Sequence, residues 1–443
     1  MGDLNLEVLE IARRARKAAL KMSNVNTDSK NQAILEIAKE IDSARLKLQE
    51  INGSDVNAAT KDDLQSSLLK RLKLNNSKID DIIKGLQSLA DLDDPVGKTL
   101  FSIEMDQGLE LFKVSCPIGV IGAIFESRPD ALVQISSLCL KSGNAVILKG
   151  GSEANKTNQF LSELIREKIA ESNIIPKNSV QLIDTREDVK KLLELDEYVD
   201  LLIPRGSSSL VKFIKENSKI PVLGHTEGIC HEYVDKDADL NMAVEICYDA
   251  KVQYPAVCNA METLLVHKDI AKQFLPQIAQ KYEETKVELR GDTKTREILP
   301  EIKKASEKDW QTEYLDLILS IKIVESLQEA IDHINYFGSH HTDGIITKNK
   351  DRKQKFLNEV DSAVVLHNAS TRFSDGYRFG FGAEVGISTE KIHARGPMGL
   401  EGLVSYKYII LGNGQIVSSY TGKNAKQFTH KFQDKTWNST TNS

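Results

Sequence analysis

The chain has 443 residues, 40% of them hydrophobic and 28% charged, with 58 Lys and Arg against 64 Asp and Glu for a formal net charge of −6. At roughly 100 to 200 residues per domain this length allows two to four globular domains, and a negative balance without basic blocks argues against nucleic acid as a partner. No run approaches the ~18 uninterrupted apolar residues of a membrane helix, and Met1-Gly2-Asp3-Leu4-Asn5 lacks the basic-then-apolar start of a secretory signal, so a soluble cytoplasmic protein is expected.

From Leu6 to about Ala90, Leu, Ile and Ala recur at helical spacing, as in Ile34, Ile37, Ala38 and Ile41, which predicts an all-helical opening with a break at Asn52-Gly53. Between Asp93 and Lys113, Gly and Pro punctuation with mixed residues predicts an extended, hairpin-like insertion. After Cys116 short Val/Ile runs alternate with amphipathic stretches, the rhythm of a parallel sheet. Strands are expected at Ile118–Phe125, Ala145–Lys149, Val180–Asp184, Leu201–Pro204 and Pro221–Leu223, with one crossover helix for nearly every step. A second unit follows His225, with strands at Thr263–His267, near Val287, and at Ile318–Val324, Gly344–Thr347 and Ala363–Leu366, and helices Leu240–Ala250, Ala271–Tyr282 and Leu327–Phe337. The fold class is therefore α/β with two doubly wound domains. Residues 378–402 are glycine-rich and irregular, Leu403–Ile410 reads as a strand, and the tail carries an Asn438-Ser439-Thr440 sequon.

Five cysteines, Cys116, Cys139, Cys230, Cys247 and Cys258, form an odd set at irregular spacing, which speaks against a disulfide framework. His225, Cys230, His231 and Glu232 lie close together without the paired spacing of a structural zinc site, so no metal is expected. Neither phosphate-cradling signature is present: no Gly-x-Gly-x-x-Gly follows the first strand, and Leu92 stands where a P-loop leading to Gly97-Lys98-Thr99 needs glycine. Pro204-Arg205-Gly206-Ser207-Ser208-Ser209 lies after a strand and opens a helix, where backbone N–H groups favour a phosphate, although a plain N-cap explains it as well. Lys149 ends a strand where open α/β sheets bind ligands, or is a surface lysine in a turn. Cys258 lies in Val252-Gln253-Tyr254-Pro255-Ala256-Val257-Cys258-Asn259-Ala260, a Pro-interrupted loop, and is either a nucleophile or a packed thiol. His333, His340 and His341 suit phosphate or, more simply, a satisfied helix end. Asn368-Ala369-Ser370-Thr371-Arg372 suits capture of a polar ligand or is a turn.

Taken in order, Gly119-Val120-Ile121-Gly122-Ala123-Ile124-Phe125-Glu126-Ser127-Arg128-Pro129, Val146-Ile147-Leu148-Lys149-Gly150-Gly151-Ser152-Glu153-Ala154, Cys258 with its Gln253-Tyr254-Pro255 approach, Gly338-Ser339-His340-His341-Thr342-Asp343, Asn368-Ala369-Ser370-Thr371-Arg372-Phe373 and His393-Ala394-Arg395-Gly396-Pro397-Met398-Gly399 resemble the gamma-glutamyl phosphate reductase family, a branch of the aldehyde dehydrogenase superfamily, over nearly the whole chain. The resemblance implies an NADP-binding domain in residues 1–95 and 114–228, a catalytic domain in 229–402, and an oligomerisation element in 96–113 with 403–443, hence a homo-oligomer. It implies reduction of L-glutamyl 5-phosphate by NADPH to L-glutamate 5-semialdehyde in proline biosynthesis, with a glutamate 5-kinase as an upstream partner. Lys149, Gly206 and Ser207 fall at positions similar to those holding the cofactor's adenosine ribose and pyrophosphate. Ser152 stands where relatives that prefer NAD carry a glutamate, which favours NADPH, and Glu313 falls near the nicotinamide ribose.

By the same resemblance Cys258 is the nucleophile, its backbone N–H and the Ser127 side chain serve the oxyanion, and Arg128, Asn368, Thr371 and Arg372 bind substrate, with Arg395 as a further candidate. Thioester formation before hydride transfer requires such a thiolate and oxyanion donors. Aldehyde-oxidising relatives need a glutamate base against the thioester, and His225 aligns near that position, with Glu227 two residues on. Two other readings stay open: a hydrolytic amino-semialdehyde dehydrogenase using Glu227, and a catalytically silent scaffold for a kinase.

Overall fold

The computed structural model describes residues 2–437, so the Asn438-Ser439-Thr440 sequon lies outside the described residues. The chain divides into two compact units, one made of Met1–Gly206, Phe213–Leu223 and Met398–Ser443, the other of Ser207–Lys212 and Gly224–Pro397.

The first unit opens with helices Gly2–Met22, Thr27–Ser43 and Arg45–Lys61. The second of these is capped by the Asn26 side chain, which accepts from the Ser29 N–H, and it buries Ala33, Ile34, Ile37, Ala38 and Ile41 along one stripe. The expected break at Asn52-Gly53 does not occur, since Arg45–Lys61 runs straight through it. Asn52 is 2% exposed, and its amide bonds the Leu72 carbonyl, the Leu74 N–H and the Thr157 hydroxyl at 2.7 to 3.3 Å. Those tertiary bonds outweigh the weak helix propensity of Asn-Gly.

Four parallel strands follow in the order Val180–Leu182, Ala145–Lys149, Val120–Phe125, Leu201–Arg205. All six residues of Val120–Phe125 are buried, as expected of a strand covered on both faces. The strand expected at Pro221–Leu223 is reduced to a single bridge between Val222 and Leu202. The predicted insertion forms the hairpin Thr99–Asp106 and Leu109–Pro117, turning at Gly108 with φ +69°. Val404–Leu411 and Lys431–Gln433 complete this separate antiparallel sheet.

The second unit holds seven parallel strands in the order Lys303–Lys304, Glu288–Gly291, Ile318–Val324, Met261–His267, Cys230–Val234, Thr342–Ile346, Val364–His367. Leu264 and Val266 pack with Phe274, Ile278 and Tyr282 on one face, while Leu265 packs with Tyr233, Ile331 and Phe356 on the other. Cys230–Val234 escapes the sequence reading although every residue of it is buried. Its His231 and Glu232 resemble loop residues, yet the His231 N–H and Nδ1 both meet Asp343 Oδ1 at 2.8 Å on the next strand. Helix Thr293–Ile298 also lies where no element is expected.

Candidate active site

Helix Leu240–Val252 ends at Gln253, and the loop that follows carries Cys258 to the amino end of strand Met261–His267. Two neighbours fix this loop. The Asn259 amide donates to the Ser374 carbonyl at 2.7 Å, and the Cys230 thiol lies 3.2 Å from the Cys258 carbonyl. Gly228 lies against the same backbone so closely that a Cβ there would fall 2.0 Å from the Cys258 carbonyl oxygen. No side chain can occupy that space without moving the nucleophile loop, because the obstacle is backbone. The Gly228 N–H is bonded to Glu313, whose carboxyl is pushed up by burial and held back by that bond and by His225.

Cys258 is half-buried, whereas Cys139, Cys230 and Cys247 are buried thiols raised by desolvation, which leaves them protonated and inert. One ring nitrogen each of His225 and His341 and the Cys258 sulfur all lie within 4.8 Å of one another. The His341 tautomer follows from its partners. Nδ1 is 2.8 Å from the Thr342 hydroxyl, and that hydroxyl gives its own proton to Ser374 Oγ at 2.8 Å, so Thr342 can only accept and His341 Nδ1 carries the hydrogen. Nε2 then holds a lone pair, and it is buried with no partner among the described residues. His225 Nδ1 is 3.0 Å from the Ile387 carbonyl, which only accepts, so this ring is oriented the same way. Glu227, two residues on, is exposed.

Of the expected substrate residues, Arg372 and Thr371 belong to this neighbourhood. Arg372 is buried, donates from Nε to Gln253 Oε1 at 3.0 Å, and is lowered by desolvation and by Arg378 while the Cys258 charge opposes the shift. The Thr371 N–H donates to Glu232 Oε1 at 3.1 Å, and the Thr371 hydroxyl is buried without a partner among the described residues. Glu232, raised well above its ordinary range by burial, has its other oxygen unpartnered too. Asn368 is not brought to Cys258: it follows the carboxyl end of strand Val364–His367, and its amide is bonded on both sides to the Thr347 backbone, at 2.9 and 3.2 Å. Arg395 is held by the Thr389 and Asp361 carbonyls and the Asp361 carboxylate.

In the first unit, Ser127 follows strand Val120–Phe125 with φ +44°, and its N–H and hydroxyl both donate to Glu153 Oε1, at 2.6 and 2.5 Å. Arg128 pairs with Asp130 at 2.8 Å. Lys149 ends strand Ala145–Lys149 half-buried, its ammonium lowered by desolvation against the pull of Glu153. Ser152 is exposed in the short turn Ser152–Ala154, and Gly206 and Ser207 are exposed after strand Leu201–Arg205. A half-buried ammonium and open backbone at the carboxyl ends of parallel strands fit a dinucleotide's polar groups. The sequence reading singles out His341 beside His333 and His340 without linking it to Cys258, and it gives Gly228 and Asn259 no role; nothing in the fully buried strand Thr342–Ile346 that follows tells which of His340 and His341 turns inward.

The model of the aldehyde dehydrogenase family matches residues 5–312. The gamma-glutamyl phosphate reductase of Pelotomaculum thermopropionicum is 53% identical over 430 residues, covering 97% of this chain and 98% of that protein. The crystal structure of the gamma-glutamyl phosphate reductase from Thermotoga maritima matches with a TM-score of 0.91 at 45% identity, over 93% of this chain and 99% of that one. At 18% identity and a TM-score of 0.63, a glyceraldehyde-3-phosphate dehydrogenase from Methanocaldococcus jannaschii complexed with NADP shares the fold, over 92% of this chain and 95% of that one. The chain belongs to the aldehyde dehydrogenase family and, within it, to the gamma-glutamyl phosphate reductases; it is an oxidoreductase. That family uses nicotinamide cofactors. Among the described residues no helix is long and apolar enough to cross a membrane.

Proposed function

We propose that this chain reduces L-glutamyl 5-phosphate to L-glutamate 5-semialdehyde with release of phosphate, through a thioester on Cys258, as the second step of proline biosynthesis from glutamate. The observation that carries the reading is the Cys258 loop, pinned by Asn259 and Gly228 beside an oriented His341 lone pair, in a chain more than half identical to reductases of that name. The Cys258 thiol gives its proton to this imidazole cluster and attacks the γ-acyl carbon; the C–S bond forms as the C–O bond to phosphate breaks. Bound NADPH supplies a hydride to the thioester carbonyl. The resulting thiohemiacetal oxyanion draws on the Cys258 N–H and, in this reading, on Ser127, then collapses to the aldehyde and frees the thiolate. Ser127 reaches that role only by releasing Glu153, which now holds its hydroxyl.

Arg128, Thr371 and Arg372 are the proposed anchors for a substrate carrying an amino acid head and a phosphate. Asn368 enters as a positioning residue for the Thr347 turn. Lys149, Ser152, Gly206, Ser207 and Glu313 are the proposed cofactor contacts, and an uncharged Ser152 suits a 2′-phosphate. A cytoplasmic homo-oligomer is the proposed form, supported by exposed Tyr406, Tyr408 and Ile410 on the outer strand Val404–Leu411. A glutamate 5-kinase is the proposed supplier of the labile substrate.

The test is the reverse reaction, glutamate-5-semialdehyde with NADP, with and without inorganic phosphate. Strictly phosphate-dependent NADPH formation supports the reading. Formation without phosphate sinks it in favour of hydrolysis, a reading that the exposure of Glu227 already disfavours.

A further inference from the structure

We propose that His225, Cys258 and His341 form a binding site for a borderline-soft divalent cation of the zinc class, with the fourth position left to water, and that occupancy silences the nucleophile. The three ligand atoms come from three separate segments and already lie within 4.8 Å of one another. Bond lengths of about 2.3 Å to sulfur and about 2.0 Å to nitrogen place tetrahedral ligand atoms roughly 3.3 to 3.5 Å apart, so closure by little more than about 1 Å suffices. Cys258 is half-buried, and rotation of its side chain supplies most of that closure.

The partners of the two rings favour the same conclusion. Metal-ligating histidines characteristically donate the other ring N–H to a carbonyl or comparable acceptor, which fixes the ring and raises its basicity. Both histidines are so arranged, His225 toward the Ile387 carbonyl at 3.0 Å and His341 toward the Thr342 hydroxyl at 2.8 Å. His341 Nε2 is fully buried and unpartnered, an atom for which a cation supplies the missing partner. The two rings meet edge to face at 79° with centroids 5.0 Å apart. Arg372 opposes a cation here.

Binding balances as one metal ion taken up and the thiol proton released to solvent, with no redox change. A thiolate bound to the metal has its lone pair engaged and cannot attack an acyl carbon. Hard, oxygen-seeking Mg2+ and Ca2+ find no suitable donor set. The uptake itself is independent of the reaction; only the inhibition rests on Cys258 being the nucleophile.

The experiment uses the reduced, full-length chain titrated with Zn2+ against a chromogenic chelator, and with Co2+ as a spectroscopic probe. One metal per chain is expected, with a thiolate-to-cobalt charge-transfer band and tetrahedral d–d bands. Cys258→Ser abolishes the band; His341→Gln and His225→Gln each weaken binding at least about tenfold; Thr342→Val, which removes the acceptor that orients His341 together with its bond to Ser374, weakens it by roughly tenfold. Thermal melting confirms that each variant is folded. Mg2+ does not compete, and Zn2+ protects Cys258 from iodoacetamide. Uptake that is absent in the wild type, or unchanged in Cys258→Ser and His341→Gln, overturns the proposal. Uptake without reductase activity would leave this site standing and defeat the functional reading, while activity without uptake defeats this site alone.

Discussion

The two parallel sheets use opposite ends of their strands. In the first unit Ser127, Lys149 and Gly206 sit at or just past the carboxyl ends of Val120–Phe125, Ala145–Lys149 and Leu201–Arg205. In the second, Cys258 and His341 precede Met261–His267 and Thr342–Ile346, so the candidate reactive groups gather at the amino ends. Among the described residues, His341 Nε2, Asn259 Oδ1, Thr371 Oγ1 and Glu232 Oε2 are buried without partners in the second unit, while in the first Glu153 closes the Ser127 turn and Asn158 Oδ1 is likewise without a partner. Each orphaned buried group costs on the order of 1 to 3 kcal/mol, a cost more readily tolerated where a ligand completes the set. The carboxyl-end rule for α/β sheets thus locates the binding groups of one unit and misplaces the chemistry of the other.

The contrast breaks most sharply at Cys258. Cys258→Ala is expected to lower kcat by at least about 10^4-fold with an unchanged melting temperature, because in the proposed mechanism this thiol makes the bond and the neighbouring Cys230 is buried and protonated. Single-turnover reduction that survives the substitution would show that the amino-end cluster is structural. Gly228→Ala is expected next, at roughly 10^2-fold in kcat, since its Cβ must displace the Cys258 backbone and small misplacements of a reacting atom are expensive. An alanine variant with wild-type kcat would mean that the loop tolerates movement.

At the carboxyl ends of the first sheet the expected effects are smaller and fall on the cofactor. Ser152→Glu places a carboxylate where a 2′-phosphate is proposed to lie, and like charges there should lower kcat/KM for NADPH about tenfold while leaving NADH nearly unchanged. Equal loss with both cofactors would remove Ser152 from the site.

The first sheet was largely legible because Val120–Phe125 and Ala145–Lys149 are unbroken apolar runs, fully covered except at Lys149. Cys230–Val234 is illegible because its polar residues are held by distant partners. Its His231 and Glu232 are buried by cross-strand bonds to Asp343 and to the Thr371 N–H, and no local pattern encodes bonds to residues more than 100 positions away. Cys258 could be picked out by its Pro-broken loop, but its companions could not. His225, Gly228, Asn259 and His341 are joined by tertiary packing alone, and the same is true of Asn52, whose long-range bonds carry a helix through a predicted break.

The smallest expected effect tests whether buried polarity in the second unit has a price in acid stability. His333 is 4% exposed among Trp310, Phe337 and His231, and Lys322 Nζ lies 3.2 Å from its Nδ1, which must therefore accept. Burial first, then His231 and Lys322, push its pKa down to about 2. In the unfolded chain the same imidazole protonates near its ordinary value of about 6.5. Below that pH the unfolded state binds a proton that the folded state refuses, so the contribution is complete above pH 6.5 and is lost as pH falls, by up to about 1.4 kcal/mol per unit. Between pH 6.5 and 5 this amounts to about 2 kcal/mol. His333→Phe keeps an aromatic ring among its neighbours and removes the titration, so urea midpoints measured at pH 7, 6 and 5 should fall less steeply for the variant than for the wild type. Parallel slopes would mean that His333 takes its proton in the folded chain, and that the second unit accommodates charge where its packing predicts exclusion.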